Sequence, residues 1–422
     1  MKDMYLLEDN LNLPSDIKEM LISDYNNLNY EENSLEDYII EKYKLDIAAK
    51  YGNLKIKNPF GKASGQLSCS INQVKADAED GLGFVILKTV ISQDENENSS
   101  MEEWKVNAPK MLIEEITSKK GETGYTVTWK GRGWDKSFLE YTKLLKDSYE
   151  IYKKYEMPVI PSVQYHLPMG QEEFKESEYR YTTEKLIEVW EETAKYHNIP
   201  FALEQDFSAT LSALPVKEEE IIRWVNEVPK LIRKHMPNKD SLLGIKLHNP
   251  PFQDEFQVEL LNTLNDKHFN SVDVITCFNR LFDADRIFEG KKGVAYGGYD
   301  LSDRNLRVLD KFIQERHASI PISATGNICS GKMMIEYALR GATCGQLHTY
   351  FQIPSHNYNL KEGRRTKKAL HELIFNPSNG LVASMIYIKK RLGISDREVF
   401  KFLDLGELKN NMDIKALKTD LN

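Results

Sequence analysis

Two glycines and a lysine late in the chain are spaced almost as in a loop that binds nucleoside triphosphates. The stretch ATGNICSGKM (324–333) holds Gly326, four further residues, and then Gly331 and Lys332. The triphosphate loop G-x-x-x-x-G-K-[ST] needs a hydroxyl after its lysine to bind magnesium, and Met333 occupies that position. The stretch therefore favours a different way of holding a phosphate.

A phosphate could instead be bound at the ends of two neighbouring strands. Gly326 and Asn327 follow one predicted strand, and His348 and Thr349 end the next one, in GATCGQLHT. Backbone amides at such turns, together with a helix N-terminus, bind phosphate in barrels of parallel strands. Lys332 then belongs to the first turn of the following helix, and we expect it to point to solvent.

Two lysines end otherwise apolar strands and are the next candidates for chemistry. Lys88 ends GFVILK, and Lys246 ends LLGIK. A lysine in this place can bind an anion, form a Schiff base as a nucleophile, or stabilise negative charge on a cofactor ring. The alternative is that each one extends its ammonium group to water while its stem stays buried. Two such lysines in an acidic protein make that alternative less attractive.

Polar side chains end the other predicted strands as well. Any one of them can be a surface or hydrogen-bonded residue, but polar ends on almost every strand exceed what a solvated rim needs. Histidine titrates near neutrality, so His166 and His248 join Ser208 and Lys88 as catalytic candidates. The strand ends are Ser64, Gly65, Lys88, Thr89, Gln164, His166, Asp206, Ser208, Lys246, His248, Thr276, Asn279, Thr325, Gly326, His348 and Thr349.

The elements that carry these residues alternate between short apolar runs and longer amphipathic segments. Helices between strands bring successive strands together in parallel. Eight such units fit an α/β (β/α)8 TIM barrel better than an open doubly wound sheet, and a barrel of this kind builds its site at the C-terminal strand ends. The predicted strands lie near 62–65 and at 83–90, 158–166, 200–208, 242–248, 271–279, 321–326 and 343–349.

The same patterning divides the chain into parts. Residues 1–50 are polar and acidic, with Leu and Ile at helical spacing, and they predict an N-terminal helical extension. Residues 51–405 are assigned to the barrel and 406–422 to a C-terminal tail. Within the barrel, 91–137 shows little apolar periodicity, so it is predicted to be an enlarged lid or substrate loop over the active face.

Composition argues against several classes of protein. The 422 residues carry a formal net charge of -8 and no basic run, which argues against nucleic acid as a partner. No apolar stretch is long enough for a membrane span and the N-terminus lacks signal-peptide features, so a cytoplasmic protein without a membrane partner is expected. The four cysteines lie far apart, so neither a metal site nor an iron–sulfur cluster of the usual spacing is expected.

Several motifs together resemble the dihydroorotate dehydrogenases. The resemblance runs from about residue 53 to about residue 405, in the family's order and with similar spacing, and the soluble single-chain class is most similar. It implies an FMN-dependent (β/α)8 barrel and a homodimer, with the N-terminal 50 residues outside the match. The motifs are NPFGKASG (58–65), GFVILKTV (83–90), GIKL (244–247), GGYDLSDRNLRVL (297–309) and ISATGNICSGKMMIEYALRGATCGQLHT (322–349).

The resemblance implies an FMN site. Lys246 would face the pyrimidine end of the flavin, where a cation stabilises the anionic reduced ring. The family usually has a second glycine where Asn327 stands, and asparagine tolerates left-handed backbone angles better than most residues. The other contacts would be Ala63, Ser64, Gly65, Lys88 and Thr89 at the ring, Gly297 and Gly298 at the ribityl chain, Gly326, Asn327, His348 and Thr349 at the phosphate, with Thr276 and Thr325 at adjoining strand ends.

The substrate side departs from the family. Dihydroorotate enzymes carry a run like N-L-S-C-P-N, whose fourth residue is the base, where this chain reads EQDFSATLS. One alignment of the two segments keeps the alternation of inward and outward side chains along the strand. In it, Asp206 replaces the first asparagine, Ser208 matches the serine, and Ala209 takes the place of the base. A one-residue slip would put Ser208 at the base. Several asparagines that bind orotate are missing, and TCFN keeps only Asn279, so orotate chemistry is not expected.

The lid supplies a different set of candidate substrate contacts. Lys130 and Arg132 can bind a carboxylate, while Trp129 and Trp134 can stack on a planar substrate. The alternative is a solvated loop with buried tryptophans. The strand ends beneath the lid add Gln164, Asp206 and Asn279 as candidate substrate contacts.

Three functions are open at this point. The first is an FMN-dependent oxidoreductase that moves hydride between flavin N5 and a small anionic or heterocyclic substrate, across a CH–CH or CH–NH bond. Because the chain lacks cysteine clusters, any iron–sulfur relay would belong to a separate electron-transfer partner. The second is a flavin-free barrel lyase or aldolase that uses Lys88 or Lys246 on a phosphorylated substrate. The third is an FMN-binding relative without catalysis, which Ala209 suggests.

Overall fold

The computed structural model describes residues 4–27, 34–101, 111–117, 121, 123–129, 133–194, 199–207, 217–266, 271–288, 291–298, 301–315 and 319–411. Helices and strands alternate through the body of the chain. The helices are α1 (Ser15–Asn27), α2 (Leu35–Tyr43), α3 (Ile71–Glu79), α4 (Phe138–Tyr155), α5 (Glu176–Ala194), α6 (Glu218–Lys234), α7 (Asp254–Asn265), α8 (Leu301–Glu315), α9 (Gly331–Ala338), α10 (Arg365–Phe375), α11 (Leu381–Arg391) and α12 (Leu405–Asn411).

The strands are short, and most of them are apolar. They are β1 (Leu45–Asp46), β2 (Ala49–Tyr51), β3 (Leu54–Ile56), β4 (Phe60–Lys62), β5 (Phe84–Ile86), β6 (Val90–Ile91), β7 (Met111–Thr117), β8 (Thr123–Trp129), β9 (Val159–Ile160), β10 (Ser162–Gln164), β11 (Ala202–Asp206), β12 (Leu242–His248), β13 (Val274–Asn279), β14 (Leu281–Phe288), β15 (Lys291–Gly298), β16 (Ile322–Thr325), β17 (Ala342–Leu347) and β18 (Phe400–Lys401).

Ten of these strands form one parallel sheet, which curls around a buried core. Its order is β6-β10-β11-β12-β13-β16-β17-β4-β5-β9. Helices follow most strands and cover the outer face, so a strand such as β12 is buried at every residue and has few polar side chains before its end. All C-terminal strand ends point to one edge of this sheet, and the polar residues that end the strands are therefore gathered there.

Each predicted strand has a counterpart in this sheet, but the count is ten rather than eight because two of them are divided. The predicted strand 83–90 becomes β5 and β6, and the predicted strand 158–166 becomes β9 and β10. Pro161 separates β9 from β10, and proline lacks the N–H that a ladder needs. The two divided strands still run side by side, because β5 pairs with β9 and β6 pairs with β10. Leu87, which follows β5, donates its N–H to the Ile160 carbonyl at 2.8 Å.

A second sheet, which the sequence did not predict, has four antiparallel strands in the order β14-β15-β8-β7. Strands β7 and β8 lie inside 91–137, so this stretch is not a plain loop. Ile113 and Glu114 are half-buried and Glu115 is exposed, and polar residues interrupt the apolar ones in β7 and β8, so neither strand has the apolar run of a strand in the main sheet. β15 pairs with β8 through Gly298 and Thr126, which places this sheet beside the polar edge of the main one.

The N-terminal segment (residues 4–9) binds to helix α9. The Leu7 N–H donates to Glu336 Oε1 at 2.7 Å. Arg340, fully buried, forms ion pairs with Glu336 and with Asp310, and its Nη2 also donates to a backbone carbonyl of the segment. A buried guanidinium is tolerated where its N–H groups are matched in this way.

Lys332 contributes to this contact, which corrects the expectation that it points to solvent. Its Nζ donates to the Glu8 carbonyl at 2.9 Å and to the Asp9 carbonyl at 3.1 Å. The lysine of the apparent triphosphate motif therefore fastens the start of the chain to α9. It does not line the cavity described below.

Two strand pairings among the described residues also join the early and late parts of the chain. Strand β1 pairs with β18, so that Leu45 lies opposite Phe400. Strand β4 lies between β17 and β5, with Phe60 opposite Gly345. The predicted helices of the first 50 residues are present as α1 and α2, and their buried residues belong to the same hydrophobic core as the sheet.

Candidate functional site

A cavity of about 1120 Å³, measured with its open mouth, lies at the C-terminal ends of the parallel strands. We call it the strand-end cavity. The predicted site residues that line it are Ala63, Ser64, Lys88, Thr89, Asp206, Lys246, Asn279, Gly297, Gly298, Thr325, Gly326, Asn327, His348 and Thr349. It is also lined by Gly124, Tyr125, Arg280, Leu301, Ile328, Cys329, Gln346, Leu347, Tyr350 and Ile353.

The remaining predicted residues do not line this cavity or cannot be placed. Ser208, Lys130 and Arg132 lie outside the described residues, and for Trp129 only the backbone, in β8, is described. Trp134 is buried and does not line the cavity; its Nε1 donates to the Ser137 carbonyl at 3.0 Å, and its backbone N–H donates to the carbonyl of Thr89 at 2.7 Å. The other predicted residues outside the lining are Gly65, Gln164, His166, His248 and Thr276.

The turn after β16 has the shape of an anion cradle. Gly326 has φ +110° and Asn327 has φ +50°, both in the left-handed region that favours glycine and asparagine. Neighbouring side chains fix the turn: the Tyr337 hydroxyl donates to the Gly326 carbonyl at 2.7 Å, and Asn327 Nδ2 donates to Ser302 Oγ at 3.0 Å. Backbone N–H groups in turns can form anion-binding concavities, so this turn is a candidate for binding a phosphate.

His348 and Thr349 lie across from this turn, after β17. A Cβ atom on Gly65 would lie 2.3 Å from His348 Cε1, so glycine is needed there for the imidazole to fit. Burial and the nearby charges of Arg280 and Lys88 keep the pKa of His348 well below its usual range. The imidazole is therefore neutral at pH 7 and can donate or accept a hydrogen bond.

Lys246 lies beside the buried carboxylate of Glu204, a residue that was not predicted to belong to the site. Its Nζ lies 3.9 Å from Glu204 Oε1, and both residues are buried. Glu204 Oε2 also accepts from Thr276 Oγ1 at 2.9 Å and from Gln346 Nε2 at 2.5 Å. Burial raises the pKa of Glu204, while Lys246 and these hydrogen bonds oppose the rise. The sequence ALEQD (202–206) does contain an indication of this role. Side chains alternate along a strand, so Glu204 lies on the same face as Asp206.

A chain of hydroxyl groups leads to Asp206. Ser64 Oγ lies 2.7 Å from Thr89 Oγ1, which is 3.0 Å from Ser162 Oγ and 3.2 Å from Asp206 Oδ2. Asp206 Oδ1 is buried and has no hydrogen-bond partner among the described residues. A buried carboxylate oxygen without a partner is costly, so this atom is suited to bind a ligand.

Arg280 lines the cavity and was also not predicted. It follows β13 with φ +45°, a rare conformation for a long side chain. Burial lowers its pKa to about 10, and the charge of Asp206 opposes this change. Burial likewise lowers the pKa of Lys88 to about 8, with the charges of Arg280 and Lys246 adding to the effect and those of Cys69 and Asp206 opposing it.

We expect Lys88 to give the protein a measurable pH dependence of stability. Its folded pKa of about 8 lies below the roughly 10.4 of an unfolded lysine. Between these values the unfolded chain binds more protons, so stability should rise with pH in this window, by up to about 3 kcal/mol. Urea unfolding from pH 7 to 10.5, without added flavin, should show this rise in the wild type and lose it in Lys88→Met. Parallel curves for the two proteins would contradict the assignment.

The two candidate histidines lie next to the site but not in it. His166 Nδ1 accepts the Lys175 N–H at 3.2 Å, and its Nε2 lies 3.1 Å from Glu172 Oε1, so both ring nitrogens have partners. His248 is buried, and burial lowers its pKa to about 4, while the charge of Asp206 and the backbone of Phe207 oppose this change. A neutral imidazole of this kind can accept a proton only if the product charge is stabilised, and Asp206 supplies that charge nearby.

In the described ranges, no group of three or more His, Cys, Asp or Glu side chains could hold a metal ion, and no helix is long and apolar enough to cross a membrane. No protein-family model matches the chain, and no curated protein matches its sequence. Functional inference therefore depends on the side chains of the strand-end cavity.

Proposed function

We propose that the protein is an FMN-dependent oxidoreductase, similar to the dihydroorotate dehydrogenases, that transfers hydride between flavin N5 and a small anionic or heterocyclic substrate. One observation carries the proposal: the left-handed turn at Gly326 and Lys246, which pairs with the buried Glu204, line the same cavity. Such a cavity offers a phosphate cradle at one end and a fixed cation at the other, as a phosphorylated ring cofactor requires.

Each part of FMN would have matching residues. The amides of Gly326 and Asn327 and the hydroxyl of Thr349 would bind the phosphate, and Gly297 and Gly298 would leave room for the ribityl chain. FMN when bound would supply the two-electron acceptor or donor for hydride. Lys246 would keep a positive charge at the pyrimidine end, and its orientation would be held by Glu204, which Thr276 and Gln346 fix in turn.

We also propose that the ten-stranded sheet closes into an eight-stranded barrel. β5 and β6 lie on one stretch of chain, and β9 and β10 lie on another. β5 pairs with β9 while β6 pairs with β10, so the sheet order that starts at β6 and ends at β9 would close on itself. The strands would then number eight, as in a TIM barrel.

The substrate proposed is not dihydroorotate. Asp206 stands where an uncharged amide would bind the orotate ring, and its Oδ1 needs a hydrogen-bond donor. A site built for one pattern of donors and acceptors rejects a ligand with another by about 10⁴-fold or more. Homodimer formation and a separate electron-transfer partner are part of the same proposal, since both are implied by the resemblance.

FMN titration tests the proposal. The purified chain, freed of any ligand, should bind one FMN with the visible absorption of a flavin and quenched flavin fluorescence. Because a phosphate contact to backbone amides is charge-assisted, FMN should bind about 10- to 100-fold more tightly than riboflavin. The reduced complex should then be reoxidised by at least one unsaturated acid or heterocycle in a panel. A chain that takes up neither FMN nor riboflavin would overturn the proposal.

A second candidate is a Schiff-base lyase or aldolase, favoured by one observation. The pKa of Lys88 is lowered to about 8, so roughly a tenth of its amine is unprotonated at pH 7, far more than for an ordinary lysine. Borohydride trapping of a phosphorylated aldehyde or ketone on Lys88 would support this function. Uptake of FMN into the same cavity would count against it, because the ring would cover the lysine.

A further inference from the structure

The N-terminal segment binds two helices that lie beside the turn after β16. On α9, the carboxylate of Glu336 accepts the Leu6 N–H at 3.0 Å and the Leu7 N–H at 2.7 Å. On α8, Asp303 Oδ1 accepts the Tyr5 hydroxyl at 2.7 Å. The segment therefore bridges α8 and α9, although none of its residues belongs to the proposed flavin site.

The same two helices hold the turn itself. On α9, the Tyr337 hydroxyl donates to the Gly326 carbonyl at 2.7 Å. On α8, Ser302 Oγ accepts from Asn327 Nδ2 at 3.0 Å. Tyr337 and Ser302 are both buried. Each residue of the turn is thus fixed by a helix that the N-terminal segment also binds.

On each helix, the residue that binds the segment is next in sequence to the residue that holds the turn. Glu336 precedes Tyr337 on α9. Ser302 precedes Asp303 on α8. Neighbouring residues of a helix project about 100° apart, so one helix can contact the segment and the turn at once. A displacement of either helix would therefore move both contacts together.

Glu336 is the residue that ties the segment most firmly to the body of the protein. It is 1 % exposed, and its ion pair with Arg340 is 2.8 Å long. Arg340 Nη2 also donates to the Met4 carbonyl at 2.7 Å. A buried carboxylate is costly unless its hydrogen bonds are made, so release of the segment would leave Glu336 two donors short. Docking of the segment and the position of α9 are accordingly linked.

We propose that the N-terminal segment positions the turn that binds the cofactor phosphate, so that the docked segment and the bound phosphate stabilise each other. Tyr337 is the positioning residue that joins the two, through the Gly326 carbonyl. Such coupling is reciprocal: a docked segment that tightens phosphate binding by some factor is itself held in place by the phosphate, by the same factor. The inference rests on the proposed function for the identity of the cofactor, whereas inorganic phosphate is enough to test the turn.

Two substitutions interrupt the connection at successive points. Glu336→Gln removes the charge that holds the segment, and Tyr337→Phe removes the hydroxyl that holds the turn. Each should weaken FMN binding about 5- to 10-fold, while the affinity for riboflavin, which lacks the phosphate, should change less than about twofold. Lys332→Ala should change FMN affinity less than about threefold, because the Glu336 contacts stay in place when the bonds to the Glu8 and Asp9 carbonyls are lost.

Helix α5 provides a matched pair of control residues. Glu178 accepts the Ser100 N–H at 2.8 Å, and Tyr179 donates its hydroxyl to the His166 carbonyl after β10. Both are buried, and neither is among the described residues that line the cavity. Glu178→Gln and Tyr179→Phe remove the same groups from the same kinds of contact. They should leave the ratio of FMN affinity to riboflavin affinity unchanged.

Hydrogen exchange measures the coupling from the side of the segment. In the wild type, FMN should slow exchange of the Leu6 and Leu7 amides, which donate to Glu336, by about 5- to 10-fold, and saturating riboflavin should leave it unchanged. Tyr337→Phe should reduce this protection even though the Glu336 contacts remain. A role limited to stability would give the same protection with both flavins.

The flavin-free chain separates failure of this inference from failure of the proposed function. Inorganic phosphate should raise its unfolding temperature above the value in potassium chloride of equal ionic strength, and Glu336→Gln and Tyr337→Phe should diminish that rise. If these results hold but the chain takes up no FMN, the inference stands and the proposed function falls.

Two results would overturn the inference while FMN binding stands. One is an equal loss of FMN and riboflavin affinity in Glu336→Gln and Tyr337→Phe, as expected of general destabilisation. The other is exchange of the Leu6 and Leu7 amides that FMN and riboflavin slow equally. A wild-type chain that binds neither inorganic phosphate nor FMN would overturn both the inference and the proposed function.

Discussion

Replacing Gly326 by valine should lower FMN affinity by at least about 100-fold. A Cβ atom there would lie 2.5 Å from Asn305 Nδ2 and 3.1 Å from Leu301 Cβ, and the φ of +110° is strained for any residue with a Cβ. Asn305 Nδ2 donates to the Thr325 and Phe278 carbonyls at 2.7 and 3.2 Å, so its displacement would move both strand ends. Strain of this kind costs about 1–3 kcal/mol before any phosphate contact is lost.

Two variants separate this effect from general destabilisation. Gly341→Val puts the same side chain at a φ of +90° where no atom lies within 4 Å, so it shares the strain without the collision. Lys332→Ala removes the lysine side chain of the apparent triphosphate motif, whose Nζ donates to the Glu8 and Asp9 carbonyls of the N-terminal segment. Both should keep FMN affinity within about threefold of the wild type at a temperature where all variants are folded. Equal losses in Gly326→Val and Lys332→Ala would mean that the motif binds phosphate through its lysine.

Lys246→Met should destabilise the chain by about 3–5 kcal/mol and also abolish stable reduction of bound FMN. Glu204 is 0 % exposed, and Lys246 is its nearest cation, so removal of the ammonium leaves a buried carboxylate without a counter-charge. The anionic reduced flavin would lose its partner at the same time, which lowers its reduction potential. Urea unfolding and a redox titration measure the two effects separately.

The pH dependence of Lys246→Met identifies the cause. Burial already raises the pKa of Glu204, and loss of Lys246 should raise it further. A carboxyl whose folded pKa lies above its unfolded value stabilises less as pH rises, so the variant should lose more stability than the wild type as pH rises above the ordinary carboxyl pKa of about 4.3. In Glu204→Gln/Lys246→Met the charge is absent, and most of the stability should return. A double variant as unstable as Lys246→Met would contradict the pairing.

The parts of this fold that follow from local pattern could be predicted from the sequence. GFVILK and LLGIK are apolar because both faces of a parallel strand are covered, and their terminal lysines mark where the strand leaves the core. This is why the positions of the strands, and the gathering of Lys88 and Lys246 in one cavity, follow from spacing alone. The helices between strands have an equally local signature.

The parts that depend on distant contacts could not be predicted. The position of Lys332 is set by the carbonyls of Glu8 and Asp9, more than 300 residues earlier, and no spacing rule reports such a contact. The sheet of β7, β8, β14 and β15 contains strands such as MLIEEIT and TGYTVTW, which lack the apolar runs of the main sheet. Arg280 looks like an ordinary surface arginine in the sequence, because only its left-handed backbone and the register shift of β13 turn it inward.

The pairing of Phe60 with Gly345, and of Leu45 with Phe400, has a consequence for biosynthesis. Strand β4 has no partner on one side until β17 has left the ribosome. Protein synthesis adds about 5–20 residues per second, so the unpaired edge of β4 and the apolar strands after it would stay exposed for tens of seconds before β17 is made. We therefore expect the nascent chain to depend on chaperones, and its yield on expression to rise at low temperature, where aggregation of such exposed edges is slower.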